Sequence, residues 1–163
     1  MVDFESKKII INQNYFLGEK SKIIPCSKID PEMIASFSED ELQSIFNENI
    51  LNHILRHSNK PWNIFLELYT KTKNEKFGLL WIIVNDDSRR DISIHGGGWN
   101  NSIANGKLYL DAWKTVIAFL NKHFSIIRTS CHQNNLKAKK FIEKTGFKSI
   151  ENNSNHIHFV LAD

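Results

Sequence analysis

The segment Ile126–Phe147 constrains the fold more than any other part of the chain, because it carries a strand and a helix start in direct succession. Ile126 and Ile127 are β-branched apolar residues of the kind that favour a strand. The polar corner that follows contains Asn134 and Asn135, whose side chains can accept hydrogen bonds from the N–H groups of a first helical turn. We therefore predict a strand from Ile126 and a helix capped at these asparagines.

The end of this helix is marked as clearly as its start. Apolar residues recur at i, i+3 and i+4 and predict one buried stripe, formed by Ala138, Phe141 and Ile142. Lys144 lies in the last turn, where a positive charge is favoured. Gly146 can adopt the left-handed conformation that ends a helix, with Phe147 as its hydrophobic contact. The pattern predicts a complete strand–helix unit and, by itself, no function.

Composition limits the classes of protein to which the chain can belong. At 163 residues, with 41% hydrophobic residues, it is most simply one globular domain spanning residues 1–163. A net charge of +3 is too small to indicate nucleic-acid binding, although it suits an anionic ligand. Cys26 and Cys131 form no disulfide framework, and no segment predicts a membrane span or a secretion signal. We expect a cytoplasmic monomer or homodimer.

The first third of the chain contains short and weak patterns. Lys8–Asn12 predicts a short strand, and Lys22–Ile24 is another short apolar segment. The pair Asp30–Pro31 is typical of a helix start, and Ser38–Glu41 forms a capping box. Apolar residues at helical spacing in Ile50–Leu55 predict one more helix. Nothing in this third identifies a substrate.

The middle of the chain changes from helical to strand periodicity. Trp62–Tyr69 alternates so that one face is apolar and the other mixed, Phe77–Val84 is almost continuously apolar, and Asp91–His95 alternates again. The connections between these segments are short and polar. The sequence therefore predicts an antiparallel meander whose middle strand is buried on both faces.

The glycine-rich segment His95–Lys107 is the second informative part of the chain. Its run Gly96–Gly98 extends the third strand without side chains, which lets a ligand or another backbone approach closely. A polar loop, Asn100–Lys107, then leads into a helix predicted from Leu108 to roughly His123. Its predicted apolar stripe consists of Tyr109, Ala112, Trp113, Val116, Ile117 and Leu120. A strand, a glycine-bearing loop and a helix N-terminus together form an anion site. The spacing excludes a nucleotide P-loop and a Rossmann fingerprint.

Two histidine pairs have spacings that a metal ion could use. His53 and His57 are spaced i, i+4 in a predicted helix, and His156 and His158 share one face of a last predicted strand, His156–Val160. Neither pair has an identifiable third ligand. We therefore expect surface or hydrogen-bonded histidines and no metal site.

Several residues of the strand–helix unit share one register with a known signature. Asn135, Ala138, the run Phe141–Lys144 and the pair Gly146–Phe147 resemble the N-x-x-[AS]-x-x-[LFV]-[YL]-E-K-x-G-F signature of GNAT N-acetyltransferases. In that family the asparagine contacts the pantetheine arm of acyl-CoA. Ile142 stands where many members carry a tyrosine that protonates the leaving thiolate. An aliphatic residue at this position is also found in the branch of the family that acetylates ribosomal-protein N-termini, so the sequence resembles that branch.

The resemblance extends to the glycine-rich segment, where the family places a bulged strand and a phosphate-binding loop. Trp99, Gly106 and the pair Asp111–Ala112 stand near the tryptophan, loop glycine and E-A pair of that branch, although the loop keeps one glycine and no arginine or glutamine. The cofactor-binding residues that the resemblance implies are Gly98, Trp99 and Asn100 for pantetheine and the thioester carbonyl, Ala104, Asn105, Gly106 and Lys107 for the pyrophosphate, and Asn135 and Phe141 beside the pantetheine.

The same resemblance implies a fold and a reaction. The fold is α+β, with a mixed, mostly antiparallel sheet whose fourth and fifth strands run parallel and diverge. The reaction is direct transfer of an acetyl group from acetyl-CoA to a primary amine, on a small molecule or a peptide N-terminus, with no covalent enzyme intermediate. The alternative is a non-catalytic binding module of the same fold, which Ile142 and the single loop glycine Gly106 favour.

An attacking amine needs a general base, and three side chains are candidates. His95 lies at the glycine run, and an imidazole titrates near neutral pH. Asp91 shares the face of His95 and could act through water, whereas Glu67 is a weaker candidate. Cys131 and His132 are adjacent on a strand and point to opposite faces, so they predict no thiol dyad.

Overall fold

One eight-stranded sheet organises the chain in the computed structural model, which describes residues 4–26, 60–98, 103–153 and 155–162. The strands are β1 Phe16–Leu17, β2 Ser21–Cys26, β3 Asn63–Thr70, β4 Lys76–Asp86, β5 Asp91–Gly98, β6 Ile126–His132, β7 Phe147–Asn153 and β8 His156–Leu161. The helices of the described ranges are α1 Glu5–Ile11, α2 Ile103–His123 and α3 Leu136–Lys144. The strand order is β1-β2-β3-β4-β5-β6-β8-β7, with β5 and β6 parallel and the other neighbours antiparallel. The predicted α+β class is confirmed.

Strands β3, β4 and β5 form the predicted antiparallel meander. Strand β4 is buried on both faces, as its continuous apolar sequence predicts; the side chains at most 5% exposed are Phe77, Leu79, Leu80, Trp81, Ile82 and Val84. Two buried polar side chains of this region pair with each other, because the indole N–H of Trp81 donates a 3.1 Å hydrogen bond to Oδ1 of Asn63. The meander is therefore a firm support for the strand at its edge, β5.

The helices pack their apolar faces onto the sheet and share its core. Their core residues are Ile10 from α1, Ala112, Trp113, Val116, Ile117 and Leu120 from α2, and Ile142 from α3. The α2 residues are those of the predicted apolar stripe. Burying one such side chain contributes about 1.5–3 kcal/mol relative to leaving it exposed, so α2 is held firmly across β5. No helix in the described ranges is long and apolar enough to span a membrane.

The strand predicted at Lys8–Asn12 is wrong, because most of this segment belongs to α1. The three consecutive isoleucines have β-propensity, but a distant residue supplies the helix cap. The carboxylate of Asp87, in the β4–β5 turn, accepts hydrogen bonds from the backbone N–H groups of Glu5 at 3.1 Å and Ser6 at 2.7 Å. Ile10 is then fully buried. Tertiary contacts override the local preference.

The C-terminal part of the sheet contains one strand more than predicted. The final strand at residues 156–160 is confirmed as β8, and β7 precedes it as its hairpin partner. Strand β8 lies between β6 and β7, so the last strand in sequence is an interior strand of the sheet. The helix predictions for residues 30–55, and those for His53 and His57, concern residues outside the described ranges.

Candidate functional site

Strands β5 and β6 pair along only part of their length. The parallel ladder joins Asp91 to Ile126, Ile92 to Ile127 and Ser93 to Arg128, and it ends there. Beyond that point β5 stays with β4, as far as Gly98 beside Gly78, whereas β6 stays with β8. Residues 94–98 and 129–132 therefore flank a gap, called the opening below. The predicted divergence of the two parallel strands is confirmed.

The backbone of β5 presents hydrogen-bonding groups to the opening. The hydroxyl of Thr129 donates a 2.7 Å hydrogen bond to the carbonyl of Ile94, which shows that the polar groups of Ile94 point toward β6. Successive residues of a strand direct these groups to opposite edges. Gly96 and Gly98 share the parity of Ile94, so their N–H and C=O groups face the opening. An extended ligand could pair with them as a missing strand would.

Helix α2 begins earlier than the sequence predicts. It starts at Ile103, so Ala104, Asn105, Gly106 and Lys107 lie in its first turns and not in a loop. The loop prediction is wrong for these residues because glycine and asparagine weaken a helical pattern without forbidding it. The first N–H groups of a helix have no partner within it, and this first turn has no acidic residue. Trp99 and Asn100 lie outside the described ranges.

Gly106 leaves free space at the start of α2. It is exposed, and a methyl group placed on it would meet no atom within 4 Å. Since glycine destabilises a helix interior by about 0.5–1 kcal/mol relative to alanine, the residue carries a cost without any steric requirement in the described structure. Its assignment to phosphate binding stays a prediction.

Asn135 caps α3 as predicted. Its Oδ1 accepts a 3.1 Å hydrogen bond from the N–H of Ala138, so only the amide NH₂ remains for a ligand. Asn134 precedes the cap residue, and its backbone N–H donates to Nδ1 of His132 at 3.2 Å. At the other end of the helix Gly146 has φ +99°, which confirms the predicted left-handed stop.

Phe141 belongs to an aromatic cluster that joins α3 to α2. Its ring centroid lies 5.2 Å from that of Tyr109 and 5.5 Å from that of Trp113. The sequence pattern predicts Tyr109 only as one residue of the apolar stripe of α2. In the structure its hydroxyl lies over β5, where a methyl group on Gly96 would be 2.8 Å from it. The absence of a side chain at Gly96 therefore makes room for Tyr109 as well as for Leu80.

His95 lies at the glycine run, as predicted, but its titration differs from the prediction. Its Nδ1 is buried and has no hydrogen-bond partner among the described residues. Burial, together with the positive charges of His156 and His158, lowers the pKa of His95 to about 4. The expectation that His95 titrates near neutral pH is wrong. At neutral pH the imidazole is uncharged and able to accept a proton, although it holds that proton weakly.

The two carboxylate candidates already have partners. Asp91 accepts hydrogen bonds from Nε of Arg128, at 3.0 and 3.2 Å from its two oxygens, and from the amide of Asn85 at 3.1 Å. It lies at the closed end of the ladder. Glu67 forms a 2.6 Å ion pair with Lys76 and accepts a 2.8 Å hydrogen bond from Tyr69. These contacts give both residues a structural role.

The remaining thiol and imidazole groups form no reactive constellation in the described part of the chain. Cys131 lies in the core, where burial raises the pKa of its thiol, and the adjacent His132 points to the other face. The rings of His132 and His156 are 5.7 Å apart at an edge-to-face angle. No group of three or more His, Cys, Asp or Glu side chains converges on a metal position among the described residues.

The arrangement of strands, opening and helices recurs in solved structures. A GCN5-related N-acetyltransferase from Brucella melitensis is similar over 90% of this chain and 77% of its own, with a TM-score of 0.68 and 16% identity. A GNAT-family acetyltransferase from Bacillus anthracis is similar over 90% and 96%, with a TM-score of 0.65 and 13% identity. This chain has the GNAT fold. A ribosomal L7/L12 α-N-protein acetyltransferase shows the same fold at a TM-score of 0.67 and 8% identity, over 90% of this chain and 92% of its own.

The GNAT fold is detected by comparing structures, whereas comparing the whole sequence with protein families and curated proteins does not detect it. No protein-family model matches the sequence, and no curated protein matches it. The residues that carried the resemblance have structural roles here: Asn135 caps α3, Gly146 ends it, and the glycine run borders the opening. Two residues of the opening, Thr129 and Tyr109, were not identified from the sequence, where they belong to an ordinary strand and an ordinary apolar stripe.

Proposed function

We propose that this chain binds acetyl-CoA in the opening and transfers the acetyl group to a primary amine. The observation that carries the proposal is the parting of β5 from β6 immediately before α2. Gly96–Gly98 has no strand partner on the β6 side among the described residues, and residues 99–102 separate it from a helix whose first turn has no acidic residue. An elongated amide-containing chain that ends in a pyrophosphate suits both features.

The residues present fit the donor substrate in three places. Gly96 and Gly98 offer backbone groups to pantetheine, and we assign Trp99 and Asn100 to the same part of the molecule from the sequence. The backbone N–H groups of Ala104, Asn105 and Gly106, with the exposed Lys107, would face the pyrophosphate; the helix dipole favours an anion there by about 0.3–1 kcal/mol. The amide NH₂ of Asn135 and the ring of Phe141 would lie beside the pantetheine.

For direct attack of the amine on the thioester, the protein has to position the two substrates, polarise the carbonyl and transfer protons. Backbone N–H groups at Gly98, Trp99 and Asn100 are the proposed donors to the thioester carbonyl. His95, uncharged at neutral pH, is the proposed base that takes the proton of the amine. Its pKa of about 4 makes it a weak base, so the proton would pass on quickly from His95 to solvent. Asp91, held by Arg128, is retained as an electrostatic support for that face.

The acceptor is either a small-molecule amine or a peptide N-terminus. The peptide is the first choice for testing, because one protein of the same fold is a ribosomal L7/L12 α-N-protein acetyltransferase. That similarity is one of fold, so an acetylation assay has to identify the acceptor of this chain. A panel of short peptides with different N-terminal residues, beside simple polyamines, covers both classes.

Calorimetry with acetyl-CoA on the parent and on Gly106→Glu tests the proposal. A methyl group at this position meets no atom within 4 Å among the described residues, and Gly106→Ala controls for the added bulk, so a loss of binding confined to Gly106→Glu reports charge. We expect Gly106→Glu to lower the affinity by about tenfold or more, equivalent to about 1.4 kcal/mol. Gly106→Ala is the matched control and should bind like the parent. Absence of acetyl-CoA binding by the parent would contradict the proposal.

A specific observation favours a second candidate, a CoA-binding module without turnover. Ile142, at the position of the family tyrosine, is 5% exposed and belongs to the core, and the pKa of His95 is about 4. The first fact leaves no proton donor at that position, and the second makes the proposed base weak. A parent protein that binds acetyl-CoA but acetylates no member of the amine panel would support the binding module.

A further inference from the structure

The hydroxyl of Tyr109 lies over one face of β5, at a residue beyond the end of the β5–β6 ladder. A methyl group on Gly96 would lie 2.8 Å from this oxygen, so the hydroxyl sits directly over the Gly96 backbone. Gly96 is three residues beyond Ser93, the last β5 residue that pairs with β6. The phenol therefore lies beside the open part of β5 and not beside its paired part.

Packing fixes the position of this phenol. The Tyr109 ring lies 5.2 Å from Phe141 and 6.1 Å from Trp113, and the latter two rings contact each other at 5.5 Å. Trp113 is 2% exposed, so the cluster is anchored in the core. Phe141 precedes Ile142 on α3. Tyr109 is thus held in place by α3 as well as by its own helix.

The two faces of β5 hold different proton-handling groups. His95 and Gly96 are consecutive, so the His95 side chain lies on the opposite face from the one that Tyr109 covers. A thioester in the opening would lie between these faces. An amine that delivers its proton to His95 would attack from one side, and the thiol would depart toward the other.

We propose that Tyr109 is the catalytic residue that protonates the departing thiolate, an inference that rests on the proposed function. As the C–S bond breaks, its electron pair goes to sulfur and the phenolic O–H gives its proton to that sulfur. Before this, the neutral amine forms the new C–N bond and its nitrogen gives one proton to His95. The phenolate of Tyr109 then regains a proton from solvent. An alkylthiol such as cysteine has a pKa of about 8.5, so a proton donor favours release at neutral pH.

The first test measures the thiol of bound coenzyme A, which does not depend on turnover. The ultraviolet absorbance of the thiolate is followed against pH for CoA bound to the parent, to Tyr109→Phe and to Tyr15→Phe. A hydrogen bond from Tyr109 stabilises the thiolate, so the thiol should titrate about one pH unit higher in Tyr109→Phe than in the parent. Tyr15, which is 51% exposed, is the matched control and should leave the titration unchanged.

The second test is kinetic. Tyr109→Phe keeps the ring and its contacts with Phe141 and Trp113, so thermal unfolding and the Kd for CoA should stay those of the parent. The kcat should fall about 10²-fold, the usual contribution of a general acid. An unchanged thiol titration in Tyr109→Phe overturns the inference even when the parent is active. A parent that binds no CoA overturns the proposed function first, and the role of Tyr109 with it.

Discussion

The hydroxyl of Thr129 donates a 2.7 Å hydrogen bond to the carbonyl of Ile94, one residue beyond the last pair of the β5–β6 ladder. Thr129 is 4% exposed and Ile94 is fully buried, so water does not replace this bond. The side chain stands in for the next rung of the ladder and fixes the point at which the two strands part. The closed end of the opening is therefore defined by one hydroxyl group.

Replacing Thr129 with valine should destabilise the protein. Valine keeps the shape of threonine but leaves the buried Ile94 carbonyl without its donor, which costs about 1–3 kcal/mol. Chemical denaturation measures the loss as a lower free energy of unfolding. Thr129→Ser retains the hydroxyl and is the matched control, with a smaller loss. Equal stabilities for Thr129→Val and the parent would show that the bond does not contribute.

Gly96→Ala should be destabilising, because the added methyl group has no room. It would lie 2.6 Å from the carbonyl oxygen of Leu79, 2.6 Å from Cδ2 of Leu80 and 2.8 Å from the hydroxyl of Tyr109. The backbone oxygen cannot move alone, so the sheet or α2 must shift, at a cost of about 1–3 kcal/mol. Thermal unfolding of the two variants tests this: Gly96→Ala should unfold at a lower temperature than the parent, whereas Gly106→Ala, which has room for the methyl group, should not. A Gly96→Ala protein as stable as its parent would rule out this close packing.

His95 should make stability fall as the pH falls through the mildly acidic range. Its pKa is about 4 in the folded protein, against 6.5 for an exposed histidine. Between these values the unfolded chain binds more protons, so acid favours unfolding, by at most on the order of 3 kcal/mol. Urea denaturation of the parent and of His95→Phe at several pH values measures how much His95 contributes to the pH dependence of the free energy of unfolding. The variant should lose less stability in acid, whereas the exposed His123→Gln should behave like the parent.

Asp111 should stabilise the first strand pair from within α2. Its carboxylate accepts hydrogen bonds from the hydroxyl of Ser21 at 2.6 Å and from the N–H groups of Lys20 at 3.0 Å and Glu19 at 3.2 Å. Asp111→Ala removes all three acceptor contacts and should cost about 1–3 kcal/mol. Asp111→Asn keeps one oxygen and should cost less. Hydrogen exchange at Glu19 and Lys20 should accelerate in Asp111→Ala, and unchanged protection there would contradict this role.

The parts of the fold that could be predicted are those whose pattern is local. The meander from β3 to β5 has strand periodicity and short turns, and α3 has a cap at Asn135 and a stop at Gly146. The parting of β5 from β6 followed from the GNAT resemblance, which those same residues carried. In each case neighbouring residues and the final fold favour the same conformation.

The elements that could not be predicted depend on distant contacts or lack apolar alternation. Helix α1 needs Asp87, which is 81 residues from Ser6 in sequence. Strand β7 begins with the buried Phe147, but polar and exposed residues follow it, so its sequence resembles a loop. The pKa of His95 depends first on its burial in the finished fold and then on two histidines more than sixty residues away. Nothing local distinguishes Tyr109 from its neighbours on the apolar stripe.

The position of β8 has a consequence for how this protein is made. Residues 156–161 follow all the other strands in sequence, yet they pair with β6 on one side and β7 on the other. A nascent chain on the ribosome can complete the meander early, since its strands are consecutive. Strand β6 then has three paired residues on one edge and an empty neighbouring place on the other. One wall of the opening is therefore assembled only after the segment 156–161 has left the exit tunnel.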